Sequence, residues 1–322
     1  MPSAVQSLSP VQGEMSPEEL KNLLAEIGTT SENLKRDSVA LREWVNSQPH
    51  LPDLTSEYDE WLETFLLVAK NSMEKAKTRL DNYFTTRTVL DEWFTMPPAP
   101  EDQLIIDERD FELNGWQPRV LPNGCVLFIM KPMNTGNWSQ VDMKVHYHRI
   151  VLHIDALMGL SKKLRGAILI MDEKHANLNI VTTFLGAIGH FRRAINCIQD
   201  CMPLRVHSVH FVNTLAPNMQ KMILNAVTPL LKGKLAQRIS IHEDMKSLHE
   251  HIPVEYLPQE YGGTAPEKLE DMATSLSNFI AANKDWYVSR TWMKTNEDRR
   301  VEKKVIGSDS GVEGSFRKLT VD

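Results

Sequence analysis

Leu204-Arg205-Val206-His207-Ser208-Val209-His210-Phe211-Val212-Asn213 is a short β-rich run that ends on a turn-forming residue. A second run, Ile239-Ser240-Ile241-His242, follows one helical pattern later. Between them Met219, Met222, Ile223, Ala226, Val227 and Leu230 recur at i, i+3, i+4, i+7, i+8 and i+11, which predicts a helix over 219–237 with one apolar stripe. Pro229 cannot continue the hydrogen-bond ladder, so a hinge is expected there. The stretch closes on Leu257-Pro258-Gln259-Glu260-Tyr261-Gly262-Gly263-Thr264. Upstream, Val126–Lys131 and Gly166–Asp172 have the length and apolar continuity of strands covered on both faces. Helical patterns over Val145–Met158 and Leu178–Ile198 alternate with them, and another runs over Glu267–Tyr287. Strands alternating with helices define an α/β fold with a mostly parallel sheet.

The grammar before residue 97 differs. Ser16-Pro17-Glu18-Glu19 combines a good N-cap, a proline suited to the first helical position and acids that suit the helix dipole. From there to Phe94 the chain reads as three or four helices, interrupted near Gly28 and around Pro49–Pro52. Leu62, Phe65, Leu66 and Ala69 share one helical face, and Leu80 and Phe84 another. Pro97-Pro98-Ala99-Pro100 reads as a linker. The expected layout is a flexible start at 1–15, a helical domain at 16–96, an α/β domain at 97–295 and a disordered tail at 296–322.

The chain has 322 residues, a net charge of −6 and 42% hydrophobic residues, which are ordinary globular values. The acidic balance argues against a nucleic-acid binder. No apolar run approaches the ~20 residues needed to span a bilayer. The first fifteen residues lack the basic start and apolar core of a signal peptide. With three cysteines, reduced thiols in a cytoplasmic monomer are expected.

Chemistry-bearing motifs are missing. There is no glycine-rich phosphate loop, no GxSxG and no HExxH. His146 and His148, like His249 and His251, stand at i, i+2 with no further ligand at metal spacing. Cys197 and Cys201 read as core-lining thiols. No catalytic residue, metal or cofactor is expected, and the chain reads as a binder.

The segment from Pro203 to Gly263 resembles the C-terminal half of a CRAL-TRIO lipid-binding domain. The strand ending at Asn213, the break at Pro229 and the Leu257-Pro258-Gln259-Glu260-Tyr261-Gly262-Gly263 ending stand in the family's order. Gly166–Asp172 resembles the family's strand that ends in Asp. Two loops depart from the pattern: His175 replaces a glycine, and Lys131-Pro132-Met133-Asn134 replaces a glycine-containing turn. The resemblance implies an α/β/α sandwich behind a small all-helical domain, holding a tocopherol, retinoid or similar lipid in a gated cavity. Core packing alone would explain the 219–230 stripe; the resemblance makes its helix, over Leu215–Thr228, the gate. Phe184, Ile188 and Phe191 on a second apolar helix, with Ile168, Ile170 and Val206 from the sheet, are expected on the cavity wall. Ser208 and His210 alternate with Val206 and either orient a ligand or satisfy neighbouring groups. The resemblance further implies a headgroup site for phosphatidylinositol bisphosphates on anionic membrane, at Arg205, Lys234 and Arg238, with His207 where relatives carry arginine. Lys234 and Arg238, at i, i+4, are expected on one helix face. Peripheral, reversible membrane association would follow. A scaffold module with a vestigial cavity, or an enzyme acting on the bound lipid, are the alternatives.

Overall fold

The computed structural model describes residues 9–94, 111–133, 138, 142–159, 162–214 and 216–301. The expected linker at Pro97–Pro100 and the tail beyond Val301 lie outside the described residues. Four helices form the N-terminal part: α1 (Pro17–Glu26), α2 (Ser31–Ser47), α3 (Asp59–Val68) and α4 (Met73–Val89). Ser16 starts α1 through a capping box, in which the Glu19 N–H donates to Ser16 Oγ at 3.2 Å and the Ser16 N–H to Glu19 Oε2 at 2.8 Å. Leu62, Phe65 and Leu66 of α3 meet Leu80 and Phe84 of α4 in a fully buried core.

The described parts of both segments expected to be loose are docked. Val11 is fully buried, and the Gln12 and Gly13 N–H groups donate to the Pro118 carbonyl at 2.8 and 3.1 Å, so the chain is packed from Ser9 onward. Residues 296–300 also dock. The Asn296 N–H donates to the His50 carbonyl at 2.9 Å, and Arg300 pairs with Asp81 at 3.0 Å. One apolar residue and one bidentate arginine do this, which a composition-based expectation of disorder does not weigh.

The sheet contains β1 (Glu112–Trp116), β2 (Cys125–Pro132), β3 (Gly166–Asp172), β4 (Val206–Val212) and β5 (Ile239–Ile241), laid side by side in chain order. β1 runs antiparallel to β2, and all other pairs are parallel. The crossovers are α5 (Met143–Gly159), α6 (Leu178–Gly186) with α7 (Ile188–Asp200), and α8 (Pro217–Val227). Parallel strands added in one direction by right-handed crossovers place these helices on one face. The other face is covered by α9 (Met245–His249), the 250–263 segment and α10 (Leu269–Ala282), followed by α11 (Lys284–Ser289). Thus Ile168 and Ile170 pack with Leu248, Leu257, Leu269 and Met272, while Ala167 belongs to the opposite core. This is the expected α/β/α sandwich behind a helical domain.

Four elements differ from the sequence reading, one of them the helix expected over 267–287, which is split at Asn283 into α10 and α11. β1 escapes it because Asn114 and Gly115 interrupt the alternation; Gly115 is required, since a Cβ there would lie 2.5 Å from Met272 Cβ. The helix expected over 178–198 breaks at Ala187, between Gly186 and Gly189, whose low helix propensity permits it. The helix expected over 219–237 ends at Val227 and passes into a 3-10 turn around Pro229.

The Glu260-Tyr261-Gly262-Gly263 motif ties the ends of three strands together. The Tyr261 hydroxyl donates to Asp172 Oδ2 at 3.0 Å, the Asn213 amide to Asp172 Oδ1 at 2.7 Å, and Lys131 Nζ to Glu260 Oε2 at 3.0 Å. Burial and the Asp172 carboxylate both push the Tyr261 phenol far above its ordinary pKa, so it stays a donor. Gly262 takes φ +70°, and a Cβ on Gly263 would lie 1.9 Å from the Leu257 carbonyl oxygen.

Candidate ligand-binding cavity

A cavity of about 260 Å³ opens between the sheet and the crossover helices. β2 supplies Phe128 and Met130, β3 Leu169 and Met171, β4 Val206, Val209 and Phe211, and β5 Ile239. Tyr147, Ile150 and Ile154 of α5, Phe184 of α6, and Phe191, Ala194 and Ile198 of α7 close the opposite side. Ile223 and Val227 of α8, with Leu231 and Leu235, complete the wall. Almost everything the cavity presents is hydrocarbon.

The structure places Phe184, Phe191, Val206, Ile223 and Val227 on this wall. Ile168 and Ile170 are a correction: they face the second core, because neighbours along a strand point to opposite faces, and Leu169 and Met171 take the cavity side. Val206 shares that side with Val209 and Phe211 only because the β3–β4 register shifts at this point; Val206 pairs with Ala167 but Ser208 with Ile168. Ser208 and His210 are thereby turned away from the cavity. His210 Nε2 meets Ser208 Oγ at 2.9 Å, His210 Nδ1 meets His242 Nε2 at 2.9 Å, and His242 Nδ1 meets Ser247 Oγ at 3.0 Å. They satisfy each other.

Ile188, Met219, Met222, Ala226 and Leu230 are likewise not among the lining residues, and Met222 is 46% exposed. The inward face of α8 runs Gln220, Ile223, Val227, slightly rotated from the apolar stripe. Gln220 is its one buried residue, and its amide faces Glu173; oriented with its nitrogen toward the carboxylate, it donates to Glu173 Oε1 and Oε2 at 3.1 and 2.5 Å. A search for apolar periodicity passes over a buried polar position. The α5 contribution is missed for another reason: its pattern was legible, but which face met the cavity was not.

A few polar groups line the cavity. Glu112 Oε2 accepts from the Asn114 amide at 2.9 Å and lies 3.7 Å from His146 Nδ1. Burial, aided by Arg149, lowers the His146 pKa to about 4, so the imidazole is neutral at pH 7 and this contact is not an ion pair. Among the described residues, no group of three His, Cys, Asp or Glu side chains could hold a metal ion.

The wall helix α5 is held from behind by the N-terminal domain. Arg87 Nη1 donates to Asp155 Oδ2 at 2.9 Å, the Tyr83 hydroxyl to Asp155 Oδ1 at 2.7 Å, and Arg290 Nη2 to the Tyr83 oxygen at 3.0 Å. Burial alone would raise the Asp155 pKa, but Arg87 and Arg290 hold it below the ordinary value.

The basic residues gather at the amino ends of β3 and β4. Arg205, Arg238 and Arg165 lie close enough to repel one another, and His207 sits among them. Desolvation, then the three arginines, lower the His207 pKa. Arg238 Nη1 also donates to the Val206 carbonyl at 3.0 Å, and Arg165 pairs with Glu26 at 2.6 Å. Lys234 is exposed in a turn, and only Ala236–Arg238 form a short 3-10 helix, so the shared helix face expected for Lys234 and Arg238 does not exist.

A singly wound sheet with an apolar cavity under its crossover helices, backed by a helical domain, defines a carrier-type fold for a hydrophobic ligand. The chain belongs to the CRAL-TRIO family, whose members bind and transfer lipids. Residues 119–263 match the CRAL/TRIO domain, and residues 30–97 match the Pinta-like UBA domain. The chain is 30% identical over 261 residues to the human alpha-tocopherol transfer protein-like protein, covering 78% of this chain and 71% of that one. It is 26% identical over 264 residues to rat clavesin-1, covering 80% and 71% of the two chains. A solved structure, that of Sfh5, superposes with a TM-score of 0.49 at 9% identity, covering 84% of this chain and 99% of that one.

Proposed function

We propose that this protein carries one hydrophobic small molecule of the tocopherol or retinoid type in the cavity and exchanges it at membranes bearing phosphoinositide headgroups. The supporting observation is the apolar cavity whose outer wall is α8, a helix bracketed by Pro217 and Pro229 with a single buried residue. Burial of ligand hydrocarbon would supply the affinity, at roughly 25 cal/mol per Å² removed from water. The chain needs no covalent chemistry for this, and it would work as a monomer. Leu178 at the start of α6 and Met222 on α8 expose apolar side chains beside the gate, suited to a lipid surface. Arg205, Arg238 and Arg165, joined by exposed Lys234, would hold the anionic headgroup.

Native mass spectrometry of the purified protein should show a bound lipid in the parent and none in Val227→Asp, whose charge would face hydrocarbon; equal loading would remove α8 from the cavity wall. Flotation on phosphatidylcholine vesicles should require added phosphatidylinositol bisphosphate. It should weaken about tenfold or more in Arg205→Ala/Lys234→Ala, at roughly 1 kcal/mol per cation near an anionic surface. Unchanged flotation of that variant would sink the headgroup site. Because the His207 pKa is lowered, acid should strengthen docking only below its ordinary titration near pH 6.5.

A further inference from the structure

The cavity wall holds two donors that nothing among the described residues accepts from. The Tyr147 hydroxyl on α5 and the Trp116 indole N–H on β1 are both buried, both belong to lining residues, and neither has a hydrogen-bond partner among the described residues. Buried donors are almost always paired, by protein, water or ligand. The same two elements bring Glu112 and His146 to the cavity, with Glu112 near enough to influence Tyr147. Elsewhere on the wall, β4, α7 and α8 present hydrocarbon, and the two carboxylates at the end of β3 are already engaged, Asp172 by Tyr261 and Asn213 and Glu173 facing the Gln220 amide.

We propose that the β1–α5 side of the cavity is a head-group subsite that takes an uncharged, hydroxyl-bearing lipid and turns away lipid carboxylates, with Tyr147 and Glu112 as its specificity-determining residues. This rests on the carrier reading above. A ligand hydroxyl has one proton and two lone pairs. It accepts from the Tyr147 hydroxyl and donates to the Glu112 carboxyl, an acceptor already oriented by the Asn114 amide at 2.9 Å. A hydrocarbon leaves the donors unsatisfied. A carboxylate would meet a second carboxyl group, and two that close cannot both ionise without a large penalty.

The test uses the full chain loaded with the neutral fluorophore N-phenyl-1-naphthylamine, displaced by three compounds sharing one body: farnesene, farnesol and farnesoic acid. Farnesol should displace the fluorophore at about tenfold lower concentration than either of the others, the worth of one well-made buried hydrogen bond. Tyr147→Phe should bring farnesol to within about threefold of farnesene, both measured against that variant's own fluorophore affinity, a selective loss that a merely structural role would not produce. Glu112→Gln should bring farnesoic acid about tenfold closer to farnesene in that variant. Equal displacement by all three compounds in the parent, or a farnesol advantage that survives Tyr147→Phe, would overturn the subsite and leave the carrier reading standing. Failure of the fluorophore to bind at all would overturn the cavity reading and the subsite with it.

Discussion

Tyr261 shows what a short motif does that its letters do not announce. Its hydroxyl shares Asp172 with the Asn213 amide, and Lys131 stands 3.9 Å from the same carboxylate. Tyr261→Phe keeps the ring in its buried place and removes one donor from a buried anion. The expected cost is about 1–3 kcal/mol, seen as a lower urea midpoint with an unchanged slope. An unchanged midpoint would mean that Asn213 and Lys131 satisfy Asp172 alone. The motif was legible as a family signature, and its glycines as turn formers. The partners were not, because they come from the ends of β2, β3 and β4, which only the assembled sheet brings together.

At the scale of the element, period was easier to read than phase. The 3.6-residue stripe located α8, and the short β-rich runs located β2 to β5. Which residues of each faced inward depended on features that periodicity does not carry: strand parity set by neighbours, the shifted β3–β4 register, and a buried glutamine on the gate. That glutamine sets the behaviour expected of α8. With its nitrogen turned toward the carboxylate, the Gln220 amide bonds both Glu173 oxygens, and a hydrogen bond to a charged group is worth about 1.5–3 kcal/mol. Gln220→Ala should raise the rate of ligand exit by about tenfold, and amide exchange within 217–227 should accelerate while that of β3 stays unchanged. Exchange in α8 that matches the parent would show that the latch is elsewhere.

For the whole molecule, the buried histidines dictate the response to acid. The pKa values of His146, His148 and His210 are each lowered to about 4, in every case chiefly by desolvation. Their unfolded forms titrate near 6.5, so between pH 6.5 and about 4 the unfolded chain binds protons that the folded one refuses. Stability should therefore be full above pH 7 and fall steadily across that window. Asp155 acts lower still: its depressed carboxyl loses its contribution only as pH falls below the ordinary aspartate value of 3.8. Urea titrations at pH 7, 6 and 5 should show the midpoint dropping at each step, and a midpoint flat to pH 5 would contradict the burial of these imidazoles. Because His146 lines the cavity, ligand should also leave more readily in acid.

The order of the strands in space is also their order in the chain. A ribosome releasing this polypeptide would deliver each parallel strand to the edge completed just before it, so no strand must wait for a later one to be inserted beside it. Such nearest-neighbour growth keeps the loops to be closed short, which favours rapid assembly during synthesis. What cannot be settled early is the closing knot. Asp172 and Lys131 are made long before Glu260 and Tyr261 emerge to cap them. Until then the nascent sheet would carry a buried-to-be anion and an open apolar face, the state in which a chaperone or a waiting lipid has most to offer.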